Sequence, residues 1–373
     1  MNPYWLEEEA PARRQVTHEG RVDVAIVGAG VTGCSAALRL ADSGLRVRVH
    51  DQRGVAEGAS GRNGGFALRG GASRYDVARE TYGAEQAREL WHWTERALDR
   101  MEELAGDALR RPGSFRLAAD EEEHDQIRAE YEALREDGIA AEWIDDLPGR
   151  LAGRFQGGIV HAGDGALQPA RFVRRLAARA AEAGAEFREH DRVDDVTALD
   201  ADAVLVATDG YGHGLVPEVA DTIWPTRGQV IVSEPLDTVL YDRPHYARQG
   251  FDYWQQLPDG RVLLGGFRDV SILDELTDVE VTTPLIQQSL ERYLGELIGG
   301  EPRVTHRWAG IFGLTQDMLP LVGRVPGRDT VWVAGGYSGH GNVLGFACGE
   351  LVADAILGEQ SPQLELFDPA RFA

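Results

Sequence analysis

Apolar positions follow two rhythms along this chain. Residues 21–27 (RVDVAIV) are apolar almost throughout, the pattern of a buried strand. Residues 32–43 carry apolar side chains at helical spacing, and 45–50 (LRVRVH) read as a second strand, so the chain opens on a predicted βαβ unit. A Gly-rich loop follows at 58–71. Helical spacing returns over 76–105 and 120–137, and a short strand begins near Ser114 and ends at Arg116-Leu117-Ala118. The run EEEH at 121–124 suits a solvated first helical turn, where acids meet the positive end of the helix dipole. Pro169, near N1, opens a helix over about 169–183, and AVLVA at 203–207 is a short strand closed by Thr208-Asp209-Gly210. Residues 224–275 are β-rich, with a turn at Pro258-Asp259-Gly260 entering the strand GRVLLGG (260–266). A helix covers 284–298. The end of the chain repeats its opening, with strand 331–334, loop GGYSGHG and helix 342–357. Residues 1–20 read as an irregular leader, and no tandem repeat or low-complexity segment is present.

Composition narrows the chemistry. A length of 373 residues suits two interleaved or consecutive domains, and 43% apolar residues allow a large core. The 61 acidic and 38 basic residues give a formal charge of −23, a field that repels nucleic acid and anionic membrane surfaces; it serves either solubility, the commoner use of acidity, or the attraction of cationic substrates such as amines. All 38 basic residues are arginine, which excludes a lysine Schiff base and a P-loop lysine. Cys34 and Cys348 each fall in an apolar helical pattern and read as small buried residues, not as a disulfide framework or a zinc cage. The ten histidines show no metal-ligand spacing, so no metal is expected. The acidic beginning MNPYWLEEEAPARR lacks the apolar core of a signal peptide, and no run reaches membrane-spanning length; a cytoplasmic location is the expectation.

The first chemical motif is Gly28-Ala29-Gly30-Val31-Thr32-Gly33, set between strand and helix. In a Rossmann-type unit Gly28 permits the tight turn, Gly30 lets backbone approach a pyrophosphate, and Gly33 lets the helix pack on the strand, with the helix N-terminus from Thr32 onward offered to phosphate. Asp51, with Gln52 beside it, stands at the end of the second strand, where an acid binds ribose hydroxyls. This motif does not distinguish FAD from NAD.

The next segment does. Gly58-Ala59-Ser60-Gly61-Arg62-Asn63-Gly64-Gly65 resembles the flavin loop of the D-amino-acid oxidase-like family of FAD oxidoreductases, and of its branch containing gamma-glutamylputrescine oxidases, whose members open with a leader like Tyr4-Trp5. Small residues there let backbone run against the diphosphate and flavin edge, and Ser60 and Arg62 offer donors to anionic or carbonyl oxygens. The resemblance continues through Gly163-Asp164-Gly165 with Gln168-Pro169, Val193 (an adenine-contacting position), Thr208 and Gly210, Arg227-Gly228-Gln229, Trp308-Ala309-Gly310 with Thr315, Asp317, Pro320 and Gly323, and Gly335 to Gly341. In that terminal loop Gly339, His340, Gly341 and Asn342 precede a helix whose N-terminus faces the flavin in the family.

The resemblance implies an α/β protein, α+β overall, in which a Rossmann-type FAD-binding domain (21–75, 148–225 and 305–373) is interleaved with a β-sheet-based substrate domain (76–147 and 226–304). It implies oxidation of a small amine or amino acid by hydride transfer from Cα to flavin N5, hydrolysis of the imine, and molecular oxygen as acceptor giving hydrogen peroxide. A dehydrogenase with another acceptor is the alternative. Covalent members use Cys or His where this chain has Phe312 and Arg62, so the FAD is expected to be non-covalent. Sarcosine-oxidase-like members place a Lys over the ring for reaction with oxygen, and the matching strand here offers Leu263.

On the substrate side, strand alternation puts Tyr253 and Gln255 on one face and Trp254 on the other, with Tyr253 a candidate to bound an amine and Arg268 and Phe66 further candidates. His340 is a candidate proton shuttle; the alternative is that its loop acts through backbone N–H groups. Two other readings compete. Ser338 in GYSGHG resembles a nucleophile elbow, but the pattern G-x-S-x-G fails at position 340. A non-catalytic FAD protein is the other. A pyridine-nucleotide disulfide reductase is disfavoured by the absence of a second G-x-G-x-x-G and of C-x-x-C. Oligomeric state is not legible.

Overall fold

The apolar run at the start of the chain becomes the strand Val22–Val27, central in a six-stranded sheet. Its neighbours are Val47–His50 and then Glu186–Arg188 on one side, and Ala201–Val206, Val331–Gly335 and Leu321–Arg324 on the other. All pairings are parallel except the last, an antiparallel edge. Parallel strands are covered on both faces, which is why these segments read as apolar runs. One face packs under the helices Val31–Asp42, Pro169–Ala183 and Val343–Ile356 in the main core; the other carries a smaller cluster that includes Val204, Val219 and Ile223. The computed structural model describes residues 3–212 and 214–372.

An eight-stranded sheet forms the second layer. Its order is Val304–Leu314, Trp224–Ser233, Val262–Gly266, Asp252–Gln256, His245–Ala247, Ser114–Leu117, Gly158–His161 and Glu142–Ile144. The strands at 158–161 and 304–314, which the sequence division places with the cofactor half, therefore pair in this second sheet. The helix Pro284–Ile298 closes one face over Ile231, Trp254 and Leu264. Trp254 is fully buried there, stacked on His245 at 5.4 Å between ring centroids. Alternation turns Tyr253 to the opposite face. Its ring occupies space that side chains at Gly64 and Gly265 would fill: a Cβ at either glycine would come within 2.7 Å or less of the ring.

Two expectations are refined. The helical stretch at 76–105 is two helices, Tyr75–Tyr82 and Ala84–Ala105, broken at Gly83, where φ is +88°. The leader is largely irregular but firmly held. Trp5 is 3% exposed and donates to the Asn63 carbonyl at 2.7 Å, Tyr4 donates to Asp259 at 2.8 Å, and Glu8 pairs with Arg171 at 2.8 Å.

Candidate active site

Both sheets contribute walls to one cavity of about 670 Å³. At its first end the turn after Val22–Val27 shows three glycines with three different tasks. Gly28 has φ +108°, and a Cβ there would lie 2.6 Å from the Ala207 carbonyl. A Cβ on Gly33 would lie 1.9 Å from the Gly28 carbonyl, so this glycine serves the packing of helix on strand. Gly30 lines the cavity, and its Cβ would meet only the Ser60 hydroxyl, at 3.0 Å. Ser60 in turn accepts the Val31 N–H at 2.9 Å. Asp51 accepts the N–H groups of Ala29 and Arg53, each at 2.7 Å, and burial raises its carboxyl above the usual range. Gln52 and Val193 line the same end, where Gln52 accepts from Arg192 at 3.3 Å.

The middle of the cavity is formed by Thr32, Ser60, Arg62, Asn63 and Gly64, with Thr208 and Gly310 opposite. Gly65 and Gly210 stand behind the wall. A Cβ on Gly65 would strike the Leu167 carbonyl at 2.5 Å, and one on Gly210 the Phe312 backbone at 2.6 Å, so both permit close backbone approach. Arg62 has its guanidinium committed within the protein: to the carbonyls of Glu57 and Ala309 at 2.8 and 3.3 Å, and to Glu280 at 3.0 Å. Its Nε and Nη1 are thus engaged within the protein, and the residue lines the cavity.

At the far end lie Tyr253, His340, Gly339, Gly341 and Asn342. Burial pushes the Tyr253 phenol up to about 12 and the His340 imidazole down to about 4, the latter aided by Arg116. His340 Nδ1 is buried without a partner. Gln255, on the Tyr253 face, donates to the Gly64 and Gly65 carbonyls at 2.6 and 3.1 Å. The Ser338 hydroxyl sits 3.2 Å from that of Thr315, and His340 is not among its hydrogen-bond partners, so no charge-relay arrangement activates it.

Several contacts of this site are absent from the sequence reading. Asp209 accepts the Gly313 and Gly336 N–H groups at 2.8 and 2.7 Å, joining three chain segments beneath the cavity. The Tyr337 phenol shares a hydrogen bond of 2.8 Å with the Thr32 hydroxyl. Glu280 pairs with Arg53, Arg62 and Tyr211. Arg116 and Glu130 form an ion pair of 2.7 Å in the inner wall. An acid inside Thr208-Asp209-Gly210 is a local signal for the first; the others depend on pairings between distant segments.

This cavity fits FAD. Gly30 leaves open the space a side chain would fill, the helix that begins at Val31 aims its N-terminus at it, and the Asp51 carboxylate lies at one end. Such a cradle, prolonged into a chamber between two sheets, defines a flavin-dependent oxidoreductase. The chain belongs to the family of FAD dependent oxidoreductases, which it matches over residues 23–355. It is 31% identical to a probable oxidoreductase OrdL from Rhizobium meliloti, over 97% of this chain and 90% of that one. It is 29% identical to the gamma-glutamylputrescine oxidoreductase of Escherichia coli, over 90% and 84%. The crystal structure of glycine oxidase from Geobacillus kaustophilus superposes with a TM-score of 0.76, at 24% identity, over 95% of this chain and 98% of that chain. Among the described residues no helix is long and apolar enough to cross a membrane.

Proposed function

We propose that the protein oxidises an amine or amino acid at the carbon bearing nitrogen. Relatives named for glutamylputrescine and for glycine support the nitrogen substrate, and the chamber beside Tyr253 and His340 would receive it. The observation that carries the reading is continuity: one cavity joins the Gly30 cradle to that chamber. Gly28, Gly30, Thr32, Asp51, Ser60, Asn63, Val193 and the Gly339–Asn342 loop would hold FAD, which supplies a two-electron acceptor for hydride.

The residues of the chain then position and exclude. Tyr253, neutral across the working range, keeps its phenolic proton and forms one wall. His340, unprotonated in that range, offers an acceptor nitrogen. Neither removes a proton from an ammonium at neutral pH, so the amine reacts as its free base. Loss of hydride from its α-carbon leaves an imine, and water converts this to a carbonyl compound and a free amine. Oxygen as the final acceptor, reduced to peroxide, is part of the same reading. One observation favours a second: no lysine exists in the chain, which suits a dehydrogenase.

Anaerobic mixing of the yellow protein with a panel of amines, amino acids and glutamylated polyamines tests the first reading by bleaching. Readmission of air, with peroxide measured, separates the two acceptors. A protein bleached by no member of the panel is not an amine oxidoreductase.

A further inference from the structure

The chain between the strand Val262–Gly266 and the helix Pro284–Ile298 is largely irregular, yet it is firmly pinned along Trp224–Ser233. Arg227 donates to the Glu275 carboxylate at 2.9 and 2.8 Å, and to the carbonyls of Asp274 and Val279, each at 3.1 Å. Gln229 accepts the Thr283 N–H at 2.9 Å. Arg227 and Gln229 are both buried, so the segment Arg227-Gly228-Gln229 holds this stretch on either side of Glu280.

Glu280 is thereby delivered to the back of the cavity wall. Its carboxylate lies 3.1 Å from the Arg53 guanidinium and 3.0 Å from that of Arg62, and it accepts the Tyr211 hydroxyl. Arg53, Arg62 and Tyr211 line the cavity, and Glu280 stands behind them. Both guanidiniums also donate to one carbonyl, that of Glu57, at 3.3 and 2.8 Å. The Arg53 guanidinium carbon sits 5.2 Å from the Tyr211 ring centroid. Burial works against the charge on Arg53; Glu280 leads the groups that more than offset it, and the guanidinium is held above its usual range. The Glu280 and Arg62 side chains are each 16% exposed, so salt screens this pair little. Two cations and one anion share this wall, and the anion comes from the segment pinned to the second sheet.

We infer that Glu280 is a positioning residue that sets the electron affinity of the flavin, acting through Arg53 and Arg62. A guanidinium stays charged throughout the working range, so a wall built from arginine cannot shed its positive field by losing a proton; an acid has to offset it. Reduced flavin carries negative charge, which an uncompensated pair of guanidiniums would over-stabilise. Glu280 trims that field and so eases the onward passage of electrons. The inference rests on FAD binding in this cavity and not on the identity of the substrate.

The test uses the holoenzyme and two readouts that need no substrate. One is the affinity for sulfite, which adds to oxidised flavin and leaves it negatively charged; the other is the flavin midpoint potential against a reference dye. Glu280→Gln keeps the shape of the side chain and removes its charge. Sulfite affinity then rises on the order of 10-fold, and the potential moves up by about 30 mV, the same factor for a two-electron couple. Arg53→Met disturbs the same network but removes a cation, so both readouts move the opposite way. Glu280→Asp keeps the charge and stays near the parent. A merely structural brace would move Glu280→Gln and Arg53→Met in the same direction. Shifts of one sign in both variants, or no shift in Glu280→Gln, overturn the inference. If Glu280→Gln retains no FAD, Arg53→Met decides: a lowered potential with weaker sulfite binding sustains the inference, and an unchanged or raised potential overturns it. Loss of FAD from both variants makes the network a brace for the cofactor and overturns the inference as well.

Discussion

The side-chain amides of Asn63 and Asn342 exchange a reciprocal pair of hydrogen bonds, each 3.1 Å long, across 279 residues of sequence. Asn342 also donates to the Phe66 carbonyl at 2.8 Å, and Asn63 accepts the Gly65 N–H at 2.8 Å. The two loops that would enclose a flavin are therefore clasped to each other by groups that leave little polar capacity free.

Replacing Asn342 by Ala opens that clasp and takes from the Phe66 carbonyl its side-chain donor, while Asn63 keeps its bonds to Ala59, Ser60 and Gly65. Stability falls by about 1–2 kcal/mol, and FAD binds more weakly because its two enclosing loops separate. Chemical denaturation and a fluorescence titration of apoprotein with FAD measure the two effects. An unchanged midpoint and an unchanged FAD affinity would show that the clasp holds nothing.

Gly30 and Gly33 are expected to fail in different ways. Gly30→Val projects into the cavity, so the chain folds but loses FAD. Gly33→Ala drives a methyl group against the Gly28 carbonyl, 1.9 Å from the ideal Cβ position, and disrupts the fold itself. Circular dichroism and flavin content of each purified variant separate the outcomes. Stoichiometric flavin in Gly30→Val contradicts the assignment of the cradle.

Flavin should be released by acid precipitation. Phe312 and Arg62 form no bond to a flavin carbon, and both cysteines are fully buried, with thiols raised by burial above their usual range. Neither cysteine lines the cavity. Yellow colour remaining on the precipitated chain decides against non-covalent binding.

The rate of anaerobic flavin reduction should rise with pH toward the substrate's own pKa. Tyr253 stays protonated up to about 12 and His340 unprotonated down to about 4, so neither titrates in the neutral range. The free-amine fraction then governs the rate. A profile flat from pH 6 to 9 contradicts this, as does faster reduction by hydroxy acids.

His245 should make the fold acid-sensitive. Burial lowers its folded pKa from 6.5 to about 4, while the unfolded chain keeps the ordinary value. The neutral imidazole is no handicap above pH 6.5. As pH falls from there toward 4, the unfolded chain takes up the proton first, and stability is lost by up to about 3 kcal/mol. His245→Phe keeps the stacking on Trp254 and removes a buried Nδ1 that has no partner. Its stability relative to the parent should therefore improve steadily over that interval. A constant difference across it shows that the imidazole is not the source.

What was legible in the sequence was written in local geometry. The helix Pro284–Ile298 is bounded by its own proline and by Gly299 at φ +75°, and Gly28 to Gly33 encode turn, approach and packing within six residues. Tyr253 and Trp254 part to opposite faces by alternation alone. Pairings set by the meeting of distant segments were not legible. The loop around Arg62 does not disclose that Glu280, 218 positions later, pairs with it. Asp209 looks like a turn residue until the two backbone groups it joins come from 313 and 336. Gly83 sits unremarked inside a helical rhythm, because periodicity records which faces are apolar but not where the backbone reverses sign.

The leader has a consequence for the order of assembly. Trp5 meets Asn63 across 58 residues, and Tyr4 meets Asp259 across 255. The Tyr4 contact gains nothing until the second sheet exists, so the start of the leader is expected to dock late, outside the folding nucleus. Changes at Trp5 should then leave the refolding rate nearly untouched and appear almost wholly as faster unfolding. The segment first in sequence is in this sense the latch closed after everything else is in place.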